Sequence, residues 1–161
     1  MKAAITGGTG FVGRALTERL LADGHSVRIL SRSAHATDAR PGVEYAQADY
    51  GDAASLARAL DGCDTVVHLA AVLFANDEST FTRANVDATA RLAQACNENP
   101  AVKNLIYLSS LAAGGPSADP AKPRTEEDAE APVSAYGRSK LGGEKAAIAW
   151  PNTMIIRTSW L

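Results

Sequence analysis

A glycine-rich segment directly follows a short apolar run at the beginning of the chain. The run Ala3–Ile5 suits a buried strand, and the segment after it reads Thr6-Gly7-Gly8-Thr9-Gly10-Phe11-Val12-Gly13. A helical pattern then extends to Ala22 and stops at Asp23-Gly24, which is typical of a helix end. A strand, a tight glycine turn and a helix in this order predict the first unit of a parallel sheet.

Short apolar runs alternate with longer helical patterns along the rest of the chain. After Ala3–Ile5 the predicted strands are Val27–Leu30, Val43–Ala46, Thr65–Leu69, Leu105–Leu108 and Met154–Ile156. After the first helix, a short helix is capped by Asp52 or Ser55, a long one runs from Ser79 to before Pro100, and the last begins at Ser134. This alternation predicts the α/β class with a doubly wound parallel sheet, a Rossmann-type fold.

Size and charge exclude several classes of protein. The length of 161 residues favours one domain, and a net charge of −2 gives no field that would attract nucleic acid or an anionic membrane. Cys63 and Cys96 stand far apart, which favours two buried thiols in a reducing compartment and no metal site. No signal peptide precedes the first strand, and no apolar run approaches the ~18 residues of a membrane span. We therefore expect a soluble cytoplasmic protein.

The glycine segment is predicted to hold the phosphates of a dinucleotide. Gly7 would form the tight turn, Gly10 would leave room for the phosphates, and Gly13 would let the helix lie close to the sheet. The amides of the helix N-terminus attract anions, and the Thr9 hydroxyl is a further donor. The alternative is a tight turn that binds nothing.

The end of the second strand distinguishes the two nicotinamide cofactors. An acidic residue there binds the ribose 2′-hydroxyl of NAD, whereas an arginine accommodates the 2′-phosphate of NADP. This chain has Ser31-Arg32-Ser33 and no acid at that position. NADP is therefore the preferred cofactor, with NAD possible, unless Arg32 is an ordinary surface charge.

Tyr136 and Lys140 are predicted to share one face of the last helix, because they are four residues apart. A tyrosine with its usual pKa of about 10 is a poor base at neutral pH, and a nearby ammonium would favour the phenolate. Ser109 and Ser110 end the fifth strand, at the sheet edge where ligands bind in such folds, and we favour Ser110 as donor to a substrate oxygen. The alternatives are an exposed Tyr/Lys pair and serines that only cap the strand.

A long segment from Ala112 to Pro132 interrupts the alternation. It contains four prolines and the acidic run Glu126-Glu127-Asp128. Such a long connection predicts either part of a substrate entrance or a solvated surface loop.

Taken together, these residues resemble the extended short-chain dehydrogenase/reductase family, which includes nucleotide-sugar epimerases, dehydratases and reductases. The resemblance spans essentially the whole chain. The segments that carry it are Thr6–Gly13, Asp49-Tyr50, His68–Ala71, Asn85–Asp87, Leu108–Ser110, Tyr136–Lys140, Gly143-Glu144 and Arg157-Thr158.

The resemblance implies a role for each segment. Tyr136 would be the general acid/base, Lys140 its partner, and Ser110 the donor to the substrate oxygen. The cofactor would lie along Gly7, Thr9, Gly10, Phe11, Val12, Gly13, Ser31, Arg32, Asp49, Tyr50, Leu69, Ala70, Ala71, Lys140, Thr158 and Ser159, with Asp49 and Tyr50 at the adenine. Asn85 would brace the site, and two copies would pair through the helices that hold Asn85 and Tyr136.

Two departures from the family refine the expectation. Family members continue into a C-terminal lobe that shapes the substrate pocket, so we expect the 161 residues to be a fragment that lacks it. Ser31-Arg32 also replaces the acid of the NAD-using epimerases, which favours an NADP-linked reductase. Tyr136–Glu144 and Ile156–Trp160 are similar to the deoxysugar-nucleotide 4-keto reductases.

The expected function is hydride transfer between a nicotinamide and a secondary alcohol or ketone, on a small-molecule substrate that the sequence does not identify. Reductase, epimerase and dehydratase remain open as alternatives. A different class of function is a non-catalytic sensor or assembly protein that binds NADP(H). The 161 residues alone would bind cofactor without turnover.

Overall fold

The computed structural model of the chain describes residues 1–33, 40–117, 119 and 121–159. Strands and helices alternate through these residues as the sequence predicts. In chain order the elements are β1 (Lys2–Thr6), α1 (Phe11–Ala22), β2 (Ser26–Ser31), β3 (Val43–Gln47), α2 (Ala53–Ala59), β4 (Thr65–His68), α3 (Glu78–Phe81), a π-helical segment (Thr82–Asp87), α4 (Ala88–Glu98), β5 (Asn104–Ser110), α5 (Leu111–Gly114), α6 (Ala135–Ala147) and β6 (Thr153–Thr158).

The strands form one six-stranded sheet in the order β3-β2-β1-β4-β5-β6, and every neighbouring pair is parallel. The chain winds outward from β1 to β3, then returns and continues from β4 to β6. The winding therefore changes direction between β1 and β4. Ligands of such sheets bind at this point, beyond the carboxyl ends of the strands. The predicted doubly wound α/β fold is confirmed.

Apolar residues on both faces of the sheet form two cores. Alternate residues of β1 point to opposite faces, so Ile5 packs in a core with Leu16 and Leu20 of α1, whereas Ala4 belongs to the core beneath α2, α4 and α6. Because both faces of the central strands are covered, β1 and β4 are buried almost throughout, whereas the edge strand β6 exposes Met154 and Ile156.

Four details of the elements differ from the sequence prediction. Strand β4 ends at His68, not Leu69, and the Leu69 amide is shared between the carbonyl and hydroxyl oxygens of Thr6. The long helix begins after Asp77, whose carboxylate accepts the Thr80 amide, and its middle is π-helical. The short helix α5 precedes the long connection because Ser110 caps it.

Asp52 is the residue that caps α2, since its side chain accepts a hydrogen bond from the Ala54 amide. Within the described part of the chain, none of the helices combines the length and the apolar character that crossing a membrane requires.

Candidate functional site

The glycine turn after β1 leaves no space for side chains. Gly7 has a φ of +69°, and a Cβ on it would lie 2.8 Å from the Ala70 nitrogen. A Cβ on Gly13 would lie 2.3 Å from the Gly7 carbonyl oxygen, so α1 begins directly on the turn. No side chain caps α1 at Gly10, which leaves first-turn amides as donors for an anion. Gly7 forms the tight turn that the sequence predicts, and Gly13 lets α1 approach the turn itself, where the sequence analysis expected it to approach the sheet.

A cavity of about 1070 Å³ opens above the carboxyl edge of the sheet. Several of the predicted cofactor residues line it from four different strand ends: Gly7, Thr9, Ser31, Arg32, Tyr50, Ala70 and Ala71. Tyr50 is fixed by a hydrogen bond of 3.1 Å to the Leu30 carbonyl, and burial raises its pKa to about 12. It therefore contributes a neutral wall to the cavity.

Other predicted cofactor residues do not line this cavity. The Asp49 carboxylate accepts the Gly51 amide at 2.8 Å, and Phe11 is 79% exposed at the first turn of α1. Leu69 packs against the core on the α1 side of the sheet. Thr158 lies beside Ser110 in the register of β5 and β6, at the predicted nicotinamide end, and its hydroxyl donates to the Ser159 carbonyl.

The sequence analysis missed one wall of the cavity, which is helical. It consists of Thr80, Arg83, Ala84, Asp87, Ala88 and Arg91. Their spacing of three and four residues is the signal that marks one face of a helix. The two alanines on this face keep the cavity open between the charged residues.

Ser110 and Tyr136 meet at the end of β5. Ser110 is half-buried and caps α5 by accepting the Ala112 amide at 3.1 Å. Burial raises the pKa of Tyr136, and a hydrogen bond with Ser110 opposes that rise. Ser109 is buried and donates to Glu144 at 2.5 Å, which leaves Ser110 as the serine that faces Tyr136.

Lys140 is buried beside this pair, with only 2% of its surface exposed. Its ammonium donates to the Leu108 carbonyl at 2.7 Å and lies 4.2 Å from the centre of the Tyr107 ring. Burial lowers the pKa of Lys140 to about 8, while the Glu144 charge opposes the change. The expected depression of the Tyr136 pKa by Lys140 is not seen, because desolvation dominates at Tyr136.

A chain of buried polar groups supports the floor of the cavity. Thr6 Oγ1 accepts the amides of Leu69 and Ala70, so its proton points to His68 Nδ1 at 2.6 Å. His68 must therefore carry its own proton on Nε2, which donates to Thr89 at 3.0 Å. Burial lowers the pKa of His68 to about 3 and keeps the ring neutral.

Asn85 has the bracing role that the sequence suggested. Its side-chain oxygen accepts the Val72 amide at 2.8 Å, and its nitrogen donates to the Val72 carbonyl and to Ser139, each at 2.9 Å. It thus ties the segment after β4 to the helix that carries Tyr136.

The model of the family described as "NAD dependent epimerase/dehydratase family" matches residues 3–160 of this chain. The chain belongs to this family. A similar curated relative is the dTDP-6-deoxy-L-talose 4-dehydrogenase (NAD(P)(+)) of Kitasatospora kifunensis, 35% identical over 149 residues that cover 91% of this chain and 46% of the relative.

Solved structures of epimerase/dehydratase relatives superpose closely. The UDP-N-acetylglucosamine 4-epimerase of Bacillus cereus has a TM-score of 0.83 and 32% identity, over 98% of this chain and 55% of that one. The Bordetella bronchiseptica enzyme WbmG, in complex with NAD, has a TM-score of 0.83 and 28% identity, over 98% of this chain and 52% of that one. The chain thus spans about half the length of these relatives.

Proposed function

We propose that this chain forms the cofactor-binding and proton-transfer part of an oxidoreductase or epimerase. The reaction moves a hydride between a nicotinamide dinucleotide and a secondary alcohol or its ketone. The observation that carries this proposal is the position of α6, with Tyr136 and the buried Lys140, beside the end of β5 where Ser110 lies, at the same carboxyl edge of the sheet as the glycine-turn cavity. Family membership supports it, since epimerases, dehydratases and reductases are its members.

The residues of the cavity fit a dinucleotide. The glycine turn would let the pyrophosphate approach the free amides of α1, where a side chain at Gly7 or Gly13 would collide with backbone atoms. Arg32 at the tip of β2 provides a cation for a 2′-phosphate. The neutral faces of Tyr50, Ala70 and Ala71 suit an adenosine.

The proton-transfer steps follow from the positions of three side chains. When bound, the nicotinamide accepts the hydride from the carbinol carbon or returns it to the ketone. Tyr136 removes the hydroxyl proton in the oxidative direction and returns it to the oxygen in the reductive one. Ser110 donates a hydrogen bond to that oxygen. The protonated Lys140, which donates to the Leu108 carbonyl, would hold the ribose hydroxyls of a bound cofactor and would favour the Tyr136 phenolate.

A preference for NADP(H) is part of the proposal. NADPH and NADH are titrated side by side at one salt concentration, into the unsubstituted protein and into Arg32→Gln. The unsubstituted protein is expected to bind NADPH more tightly, and Arg32→Gln to lose most of that difference while NADH binding stays unchanged. Arg19→Gln, at the far end of α1, is the matched charge control. Tighter NADH binding would overturn the preference, and no binding of either would overturn the function.

The role of Tyr136 is tested by Tyr136→Phe in the complete enzyme, with the expected substrate lobe, in the reduction of a dTDP-4-keto sugar. We expect turnover to fall by ~10²–10⁴-fold, as is usual for loss of a positioned acid/base group, with NADPH affinity unchanged. Tyr45→Phe removes a hydroxyl from β3 and is the control. Undiminished turnover by Tyr136→Phe would disprove the mechanism.

A nucleotide-sugar substrate is supported by those relatives whose names refer to dTDP- and UDP-linked sugars, whereas other relatives are named for sterol, steroid and ceramide substrates. A homodimer through the helices of Asn85 and Tyr136, and a cytoplasmic location, stay predictions. Analytical ultracentrifugation of the protein tests the dimer.

A further inference from the structure

The helical wall of the cavity carries arginines in addition to Arg14, whose guanidinium donates to the Thr9 carbonyl of the glycine turn at 2.9 Å. Arg83 and Arg91 line the cavity from this wall, and Arg32 lines it from β2. Among the described residues, none of these three arginines has a carboxylate oxygen within 4.0 Å, in contrast to Arg19, Arg28, Arg58, Arg138 and Arg157. Asp87 is the acid that shares the wall. Three arginines around one cavity, none with a carboxylate within 4.0 Å in the described part of the chain, favour an anionic ligand at this place.

Neutral groups hold Arg83 in position. Its guanidinium donates to Ser79 Oγ at 2.8 Å and to Thr80 Oγ1 at 3.0 Å. Both hydroxyls donate in turn to the Asp77 carboxylate, at 2.5 Å and 2.9 Å. The side chain is thereby oriented without a direct ion pair, and it has more N–H donors than these two bonds use.

Arg83 and the glycine turn line the same cavity, since Gly7 and Thr9 are also among its lining residues. Arg83 precedes Asn85 by two residues in the π-helical segment, and Asn85 holds both backbone groups of Val72. The segment before Val72 packs on the turn, since a Cβ on Gly7 would lie 2.8 Å from the Ala70 nitrogen. Arg91 lies two helical turns further along, where it donates to the Asp87 carbonyl at 3.1 Å.

We propose that Arg83 is a phosphate-binding residue, which contacts the pyrophosphate of the dinucleotide from the side opposite the glycine turn. This rests on the proposed function. The turn offers amides and a helix dipole, and the Arg14 guanidinium lies on its outer side, where it donates to the Thr9 carbonyl. A guanidinium adds a full charge and two parallel N–H donors, the geometry that suits phosphate oxygens. Arg83 and Arg32 therefore bind different phosphates, and only Arg32 distinguishes NADPH from NADH.

The two roles separate when both cofactors are titrated into Arg83→Gln, Arg32→Gln and Arg91→Gln. We expect Arg83→Gln to weaken the binding of NADH and of NADPH by the same factor, roughly tenfold to a hundredfold, as for loss of a charged hydrogen bond. Arg32→Gln weakens NADPH alone, and Arg91→Gln is the control from the same wall. ADP and adenosine serve as smaller probes. Arg83→Gln is expected to weaken the binding of ADP and to leave the binding of adenosine, which has no phosphate, unchanged.

Arg83→Lys separates loss of contact from loss of fold, because it keeps the charge and is expected to restore part of the affinity. Equal affinities of Arg83→Gln and the unsubstituted protein would overturn the proposal, and so would a loss confined to NADPH. Those results would leave the proposed function intact. Absence of dinucleotide binding by the unsubstituted protein would instead overturn both.

Discussion

At the scale of single residues, His68 shows how a titratable group becomes part of the scaffold. Its two nitrogens have opposite roles, since Nδ1 accepts from Thr6 and Nε2 donates to Thr89. A protonated ring would carry two donors, and Thr6 has no lone pair left to accept the second one. The cavity floor therefore depends on a neutral histidine.

This dependence predicts a loss of stability in acid. An unfolded histidine has a pKa of about 6.5, whereas burial lowers the pKa of His68 in the fold to about 3. The unfolded chain binds the extra proton between these values, so the free energy of unfolding falls as the pH falls from 6.5 towards 3. Between pH 6.5 and 4.5, the free energy of unfolding of His68→Gln is expected to fall less than that of the unsubstituted protein. Urea denaturation at each pH measures both.

His25→Gln removes a histidine outside this network and is the matched control. If the free energy of unfolding of His68→Gln fell with pH as steeply as that of the unsubstituted protein, His68 would not be the cause of the loss of stability in acid.

At the scale of elements, helix α6 is held against its neighbours by two adjacent glycines. A Cβ on Gly143 would lie 2.2 Å from the Tyr107 hydroxyl and 2.5 Å from the Asn85 carbonyl oxygen. A Cβ on Gly142 would meet the Val86 side chain at 2.8 Å. The first position is closed by backbone and a buried ring, whereas the second faces a side chain that can move.

The pair allows a matched comparison of Gly143→Ala with Gly142→Ala. We expect Gly143→Ala to lower the free energy of unfolding by ~1–3 kcal/mol or more through overpacking. Gly142→Ala is expected to change it by less than about 1 kcal/mol, because alanine favours the helix and offsets the strain. Chemical denaturation measures both variants, and equal stabilities would contradict the close packing of α6.

The comparison of sequence with structure is also clearest at this scale. The glycine turn, the strands and α1 are predictable because each is a local pattern. The π-helical segment is not, since its geometry is set by the bonds of Asn85 to Val72 and Ser139, which are distant in sequence. Helix α5 was missed because Ser110 was assigned only to the site, although its hydroxyl also caps a helix.

At the scale of the whole molecule, the cavity is built from both halves of the sheet. The candidates at strand ends were predictable, because a parallel sheet brings its carboxyl ends to one edge. The helical wall with Arg83 was not predicted. The sequence shows which residues share a helix face, but not whether that face packs against the protein or lines a cavity. The environment of Lys140 also depends on β5, whose Leu108 carbonyl and Tyr107 ring surround the ammonium.

The ion pair of Glu144 with Arg157 has a consequence for synthesis on the ribosome. Glu144 is buried, and both of its oxygens bind Arg157, at 2.8 Å and 2.6 Å. A buried carboxylate without its partner costs about 3–5 kcal/mol. The helix that carries Tyr136 leaves the ribosome before β6 does, so it cannot settle until Arg157 has followed. Among the residues that the structure describes, stable packing of the Tyr136 helix is therefore expected to wait for the end of β6.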